Sequence, residues 1–225
     1  MEKIGHRGAK ALLDENTLES IQKAIDLGVD AIEIDIHCCK TGELIVIHDS
    51  SLDRTTNGTG EITELTYNEI QNFKTTSGYT IPTLKNTLNF CCKKCHIHIE
   101  LKGKGTAKKT AELISTLVKK GNWNYDELTI SSFKLSRLKK IQKINPSIRL
   151  GIIADKNLDS KLKLASKNNL YSFYGFHKKI NKKTIDLAKQ HNLKMYCWTA
   201  NKRKDIKRMI HLEIDGIITD SPEKL

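Results

Sequence analysis

The stretch Ala31-Ile32-Glu33-Ile34-Asp35-Ile36 decides the fold. Side chains two apart along a strand share a face. Ile32, Ile34 and Ile36 therefore form one apolar row, while Glu33 and Asp35 point together to the other side. A strand that packs one face on helices and exposes acids at its end belongs to a barrel or open α/β sheet with its site on that rim. Three further runs repeat the arrangement: Gly5-His6-Arg7-Gly8, Val46-Ile47-His48-Asp49 and Ile99-Glu100-Leu101-Lys102.

Outward from these runs, short apolar stretches recur at 31–36, 44–47, 97–101, 128–130, 148–153, 170–176, 193–197 and 214–218, with Ile4 heading one more. Helical periodicity fills most of the intervals, at 17–25, 107–120, 134–144, 158–166, 182–191 and 203–211. Strand alternating with helix means a parallel sheet. Nine strand candidates exceed an eight-stranded barrel by one, and the interval from Ile36 to Leu44 is too short for a crossover helix. Lys40-Thr41-Gly42-Glu43 instead suits a tight hairpin. With Thr41-Gly42 as a two-residue loop, His48 lies directly across from Asp35. The expected fold is a TIM (β/α)8-type barrel with a small insertion after the third strand. It occupies residues 1–225 as one domain, with 50–83 as a cap-like insertion over the rim. That insertion is rich in Thr, Gly, Asn and Ser, with one short helical pattern at 66–73.

The chain's 225 residues can bury one sizeable core, and 38% hydrophobic with 28% charged residues suits a folded globular protein. A chemical motif is reached within six residues of Met1 and no run approaches the apolar length of a membrane helix, so a cytoplasmic protein without stable membrane insertion is expected. Six cysteines, with two adjacent pairs, fit reduced thiols better than a disulfide framework. The formal charge of +12 is mostly lysine. Attraction for a phosphate-bearing substrate, an anionic membrane or nucleic acid all fit it, but the lysines are spread along the chain, and solvated helix faces are the preferred reading. Aromatics are only 6%, poor material for base stacking, so no nucleic-acid partner is expected.

Glu33 and Asp35 on one strand, and Glu100 with Lys102 on another, would converge inside a barrel. Three carboxylates there repel one another unless a cation sits among them. A hard divalent ion, Mg²⁺ or Ca²⁺, suits an all-oxygen ligand set. His6 and His48 end separate strands beside that site and suit a general acid and a general base. Arg7 offers a fork for phosphate oxygens and Lys102 a point charge. Trp198 ends a strand where it can wall a bound ligand.

These elements occur in order with Glu15-Asn16-Thr17, Leu52-Asp53-Arg54-Thr55, Ser131-Ser132-Phe133, Trp198-Thr199-Ala200-Asn201 and Asp215-Gly216-Ile217-Ile218-Thr219-Asp220. Together they span nearly the whole chain, which resembles the glycerophosphodiester phosphodiesterase family and its phospholipase C-like barrel. The resemblance implies hydrolysis of a glycerophosphodiester to an alcohol and sn-glycerol 3-phosphate. It implies Glu33, Asp35 and Glu100 as metal ligands, His6 and His48 as the catalytic pair, and Arg7, Lys102, Glu15 and Trp198 around the substrate. Two departures stand out: Asp14 occupies a position where the family usually has proline, and His98 one where a small polar residue is usual. His98 and His37 are read as barrel filling, and Asp215–Asp220 as mainly architectural. The run Cys92-Lys93-Lys94-Cys95-His96 matches haem-attachment or zinc spacing, but its histidine begins the strand that carries Glu100. Two other readings compete: a phospholipase D-like relative acting on intact phospholipid, which would need a more apolar rim, and a non-catalytic phosphodiester or nucleic-acid binder, which has no use for paired proton carriers.

Overall fold

The computed structural model describes all 225 residues. Eight parallel strands close on themselves in the order β1 (Glu2–His6), β2 (Ala31–Cys38), β4 (His96–Leu101), β5 (Leu128–Ser132), β6 (Arg149–Ala154), β7 (Ser172–Phe176), β8 (Lys194–Trp198) and β9 (Gly216–Thr219), with β9 pairing back to β1. The ninth strand, β3 (Leu44–Val46), is antiparallel to the end of β2. The fold is a TIM barrel plus one strand. Helices α1 (Leu18–Asp26), α3 (Leu84–Cys91), α4 (Thr106–Lys119), α5 (Leu135–Ile144), α6 (Leu158–Lys167), α7 (Lys182–Gln190) and α8 (Arg203–His211) connect the parallel strands.

The period-2 reading of β2 and β4 holds. Ile32, Ile34, Ile36, Ile97, Ile99 and Leu101 are fully buried in a 43-residue cluster between barrel and helices. Burying each such side chain stabilises the fold by about 1.5–3 kcal/mol. The opposite faces of these strands carry Glu33, Asp35, His98 and Glu100, all buried.

The hairpin differs from expectation by one residue. Ile36 pairs with Val46 and Cys38 with Leu44. The turn is closed by the Cys39 amide donating to the Glu43 carbonyl at 3.0 Å. Lys40, Thr41 and Gly42 thus form a three-residue loop. Gly42 has φ +102°, and a left-handed residue at the third position is what such loops require. Asp35 consequently faces Ile47, whose amide donates to the Asp35 carbonyl at 3.0 Å, and His48 stands one residue beyond.

Residues 50–83 form short antiparallel bridges at Ser51–Glu61, Thr56–Thr75 and Lys74–Thr80. Leu52, Ile62, Ile70 and Ile81 pack there with Ile45 and Ile47 in a small cluster of their own. Within this stretch α2 (Tyr67–Gln71) starts on a Thr66–Glu69 capping box. Helix α3 follows, capped by Thr83, with Leu84, Thr87, Leu88 and Cys91 buried. Sequence periodicity passes over α3 because a threonine occupies one of its four core-facing positions.

Candidate active site

Strand register assembles the site. His6 pairs with Glu33 across β1–β2, and Asp35 pairs with Glu100 across β2–β4; His6 and Glu100 lie at or next to the carboxyl ends of β1 and β4, and Glu33 and Asp35 lie within the longer β2. Carboxylate oxygens of Glu33, Asp35 and Glu100 lie within 4.8 Å of one another. Two cations touch this trio: Arg7 Nε is 3.0 Å from Asp35, and Lys102 Nζ is 3.3 Å from Glu100 and 3.8 Å from Asp35.

Those two cations leave the trio short of positive charge. Burial would raise the Asp35 pKa, but Arg7 and then Lys102 hold it below its usual range. Burial, followed by the Asp35 charge, raises Glu33 well above its usual value and lifts Glu100 to about 7. Glu33 Oε2 is buried and receives no hydrogen bond. A close-set, undercompensated, all-oxygen trio fits a hard divalent cation.

The two histidines are held alike. His6 Nδ1 donates to Asp220 at 2.5 Å, and His48 Nδ1 donates to Asp49 at 2.6 Å. Each Nε2 is thereby left as the working nitrogen. His48 Nε2 accepts from Lys102 Nζ at 2.9 Å, and His6 Nε2 lies 3.8 Å from Glu33. Burial lowers the pKa of both imidazoles, which favours the neutral form. Burial would raise Asp220, but its bond from His6 keeps it ionised and able to accept.

Arg7 is fixed by backbone and partners together. Its φ is +56°, an uncommon conformation for a residue with a side chain, and the following Gly8 has φ +87°. A Cβ at Gly8 would lie 2.5 Å from Ser20 Oγ, so α1 can pack here only against glycine. Arg7 donates to Glu15 at 2.6 Å, and Arg54 joins Glu15 at 2.8 Å to Asp49 at 2.5 Å. Burial opposes ionisation of Glu15, yet Arg54 and Arg7 hold its pKa down to about 2. This chain of ion pairs runs from Arg7 to the aspartate that orients His48. Asn16 donates to Asp35 at 3.2 Å, while the cap of α1 is Thr17. Asp14, the departure from proline, accepts from the Ser77 amide at 2.7 Å and so ties the first βα loop to the insertion.

A cavity of about 210 Å³ opens at this end of the barrel, lined by His6, Arg7, Glu33, His48, Glu100, Lys102 and Trp198 among others. Asp35 and Glu15 stand behind that lining. Phe133 meets Trp198 edge to face at 5.7 Å, and Trp198 Nε1 donates to the Tyr174 carbonyl at 3.2 Å, which makes one wall aromatic. Motif reading gave no role to Arg54, Phe133 or Tyr174, and it took Asp220, which here tethers His6, as part of a mainly architectural segment. His98 donates to or accepts from Tyr174 at 2.6 Å and lies 3.4 Å from Glu2, filling the barrel below the trio. His37 reaches the His48 carbonyl at 3.0 Å and so braces that loop. Cys38 is half-buried and Cys197 is fully enclosed. Cys92 turns to the Asn122 carbonyl at 2.9 Å and His96 to Glu2 at 3.1 Å, so the run with zinc-like spacing points in divergent directions.

A larger concavity of about 720 Å³ lies at the opposite mouth, around Glu2, His96, Arg149, Lys194 and Asp215. Its charges pair among themselves, as Lys194 does with Asp215 at 2.9 Å. The convergent chemistry is at the carboxyl end.

Fold and site together define a barrel enzyme that handles phosphodiesters. Residues 6–224 match the model of the glycerophosphoryl diester phosphodiesterase family, and the chain belongs to that family. It is 32% identical to a glycerophosphodiester phosphodiesterase of Caldanaerobacter subterraneus, over 99% of this chain and 95% of the relative. It is 31% identical to the Bacillus altitudinis enzyme, over 100% and 96%. Its fold superposes on an Oleispira antarctica phosphodiesterase, solved with its product sn-glycerol-3-phosphate, at a TM-score of 0.91 and 24% identity, covering 100% of this chain and 94% of that one. The Thermotoga maritima glycerophosphodiester phosphodiesterase matches at 0.82 and 26%, covering 99% and 96%. No helix is long and apolar enough to cross a membrane.

Proposed function

We propose that this chain hydrolyses glycerophosphodiesters to an alcohol and sn-glycerol 3-phosphate in a divalent-metal-dependent reaction. The observation that carries the reading is the convergence of the Glu33–Asp35–Glu100 trio with two histidines, each tethered through Nδ1 by its own aspartate. Glu33, Asp35 and Glu100 would hold Mg²⁺ or Ca²⁺, which when bound neutralises charge on the phosphoryl oxygens. Arg7 and Lys102 line the same cavity and add fixed positive charge toward the phosphate. Glu15 acts by holding Arg7 in place.

His6 and His48 divide the proton traffic at their Nε2 atoms. One accepts the proton of the attacking hydroxyl and the other delivers a proton to the departing alkoxide; attack by water gives glycerol 3-phosphate directly, whereas attack by the substrate's own glycerol hydroxyl gives a cyclic phosphate that water must then open with the two roles exchanged. The paired Asp220 and Asp49 keep each ring in the tautomer this requires and stabilise it when charged. Trp198 and Phe133 wall the carbon skeleton of the substrate. Residues 50–83 serve as a cap whose Asp49–Arg54–Glu15 bridge couples it to Arg7. The whole of 1–225 works as one barrel domain, and six unpaired cysteines favour a reducing compartment such as the cytoplasm.

Purified protein with Mg²⁺ or Ca²⁺ should release glycerol 3-phosphate from glycerophosphocholine or a related diester. His6→Ala should abolish release while substrate binding survives. A p-nitrophenyl diester, whose leaving group needs no proton, should restore turnover only in the variant that lacks the general acid. Undiminished turnover after His6→Ala on the natural substrate would remove its proton-transfer role.

A further inference from the structure

The run Cys91-Cys92-Lys93-Lys94-Cys95 places three of the chain's six thiols in the connection from α3 to β4, where the phosphodiester site makes no use of them. Cys91 ends α3, and Cys95 stands one residue before β4. Between them the Lys94 amide donates to the Cys91 carbonyl at 2.9 Å, with Cys92 at φ −50° and ψ 124° and Lys93 at φ +60°. This is a type II turn, built with lysine where glycine or asparagine is usual. The turn reverses the chain and brings Cys95 back to Cys91, whose thiol donates to the Cys95 sulfur. Cys92 is turned away to the Asn122 carbonyl.

The two members of the pair differ in character. Cys91 is fully buried, and the bond it donates together with that burial keeps its proton on. Cys95 is half-buried, and accepting that bond draws its pKa below the ordinary thiol range; burial opposes this and Lys94 adds to it. The Lys94 ammonium is held 4.0 Å over the Phe90 ring. A stabilised thiolate within reach of a small molecule, set against a second thiol, is what peroxide oxidises and a neighbouring sulfur then resolves. The remaining thiols lack this arrangement. Burial raises Cys38 and pushes Cys197 up to about 12, and Cys39 is enclosed with its thiol donating to the Glu43 carboxylate at 3.1 Å.

We propose that Cys91 and Cys95 form a reversible two-electron oxidation site, at which a hydroperoxide converts the pair to a disulfide and a dithiol reductant restores it. The Cys95 thiolate attacks a peroxide oxygen, the O–O bond breaks, and hydroxide departs to leave a sulfenic acid. The Cys91 sulfur then attacks the Cys95 sulfur, the S–O bond breaks, and hydroxide leaves as water with the Cys91 proton. Counting the proton that Cys95 gave up, two thiols and one hydrogen peroxide yield one disulfide and two waters. The bridge joins the end of α3 to the start of β4. His96, the next residue, lines the mouth opposite the phosphodiester cavity, so this chemistry is separate from hydrolysis.

The test treats fully reduced protein with a small excess of hydrogen peroxide at neutral pH and maps the product. Two of the six thiols should disappear within a single chain and return with dithiothreitol. Trypsin cuts after Lys85, Lys93, Lys94 and Lys102, so the disulfide should be recovered as residues 86–93 joined to 95–102. Cys92→Ser should leave rate and product unchanged, which assigns the bridge to Cys91 rather than to its neighbour in the same peptide. Cys95→Ser should slow thiol loss by roughly tenfold or more. Cys91→Ala should give no disulfide and leave Cys95 trapped by dimedone as its sulfenic acid. Six thiols that survive peroxide, a bridge through Cys92, Cys38 or Cys39 or between two chains, or a Cys95→Ser variant oxidised at the parent's rate overturns the proposal. Should the Cys91 variant fail to fold, the digests of the parent and of Cys92→Ser decide the matter.

Discussion

Glu100→Gln removes one carboxylate from a trio that holds more negative charge than Arg7 and Lys102 neutralise. Burial, and then the Asp35 charge, lift the Glu100 pKa to about 7, against about 4.3 for an ordinary glutamate. In metal-free protein at pH 8, keeping Glu100 ionised therefore costs about 3–4 kcal/mol. Because the folded-state pKa is raised, stability is fully present below about pH 4 and is lost as pH rises through about 7. Glutamine cannot ionise and escapes that loss. It gives up the 3.3 Å contact with Lys102, but Lys102 keeps Asp35 and His48 as partners.

For a chain of this length, 1 kcal/mol corresponds to roughly 2–4 °C in Tm. The variant should accordingly melt about 6–16 °C above the parent at pH 8 in chelator, and the two should converge as pH falls toward 4. Adding Mg²⁺ or Ca²⁺ reverses the order, because binding to the native state raises the parent's Tm and leaves the variant's nearly unmoved. Differential scanning calorimetry across pH, with and without metal, reads all of this. A chelated variant no more stable than the parent at pH 8, or equal metal-induced shifts in both, would refute the reasoning.

Asp220→Asn should lower kcat by roughly 10–100-fold with little change in KM, since it removes the anion that sets the His6 tautomer; a displaced pH profile distinguishes this from general damage. Gly8→Ala forces a Cβ to within 2.5 Å of Ser20 Oγ at φ +87°, and should destabilise the fold by about 1–3 kcal/mol in urea titration. Glu2 would be raised by burial, but His98 and then His96 hold its pKa down to about 2. Its depressed folded-state value means stability present above about pH 4.3 and lost as pH falls toward 2, so Glu2→Gln should remove about 3 kcal/mol of that acid limb. Matching urea midpoints for parent and variant at both pH 6 and pH 2.5 would show otherwise.

The metal-ligand candidates were legible because β2 and β4 encode them locally: a period of two separates isoleucines from acids, and one register step joins Asp35 to Glu100. The hairpin register was misjudged by one residue because it depends on the left-handed backbone of Gly42, which residue identity permits but does not dictate. Asp220 reads as part of a closing strand because its partner His6 is 214 residues away in sequence, a contact only barrel closure creates. The Asp49–Arg54–Glu15 chain was hidden for the same reason, since Arg54 and Glu15 are 39 residues apart.

These two kinds of legibility follow from how the barrel divides its packing. The isoleucine rows of β2 and β4 bury outward against the helices, in a core of 43 residues, whereas the apolar cluster inside the barrel has only six. Fold stability thus resides mainly outside the strand cylinder. The lumen is then free to hold Glu2, His98 and Tyr174 below and the acidic trio above, groups that a barrel relying on its interior for stability could not bury. Those lumen groups remain ordered because each finds a partner across the barrel, as His98 does with Tyr174 and Glu2. Ser172 Oγ, on the inward face of β7, and Glu33 Oε2, by contrast, are buried without a hydrogen bond. Of the two, only the Glu33 oxygen belongs to a carboxylate set beside Asp35 and Glu100, and it is the one that a bound cation would claim.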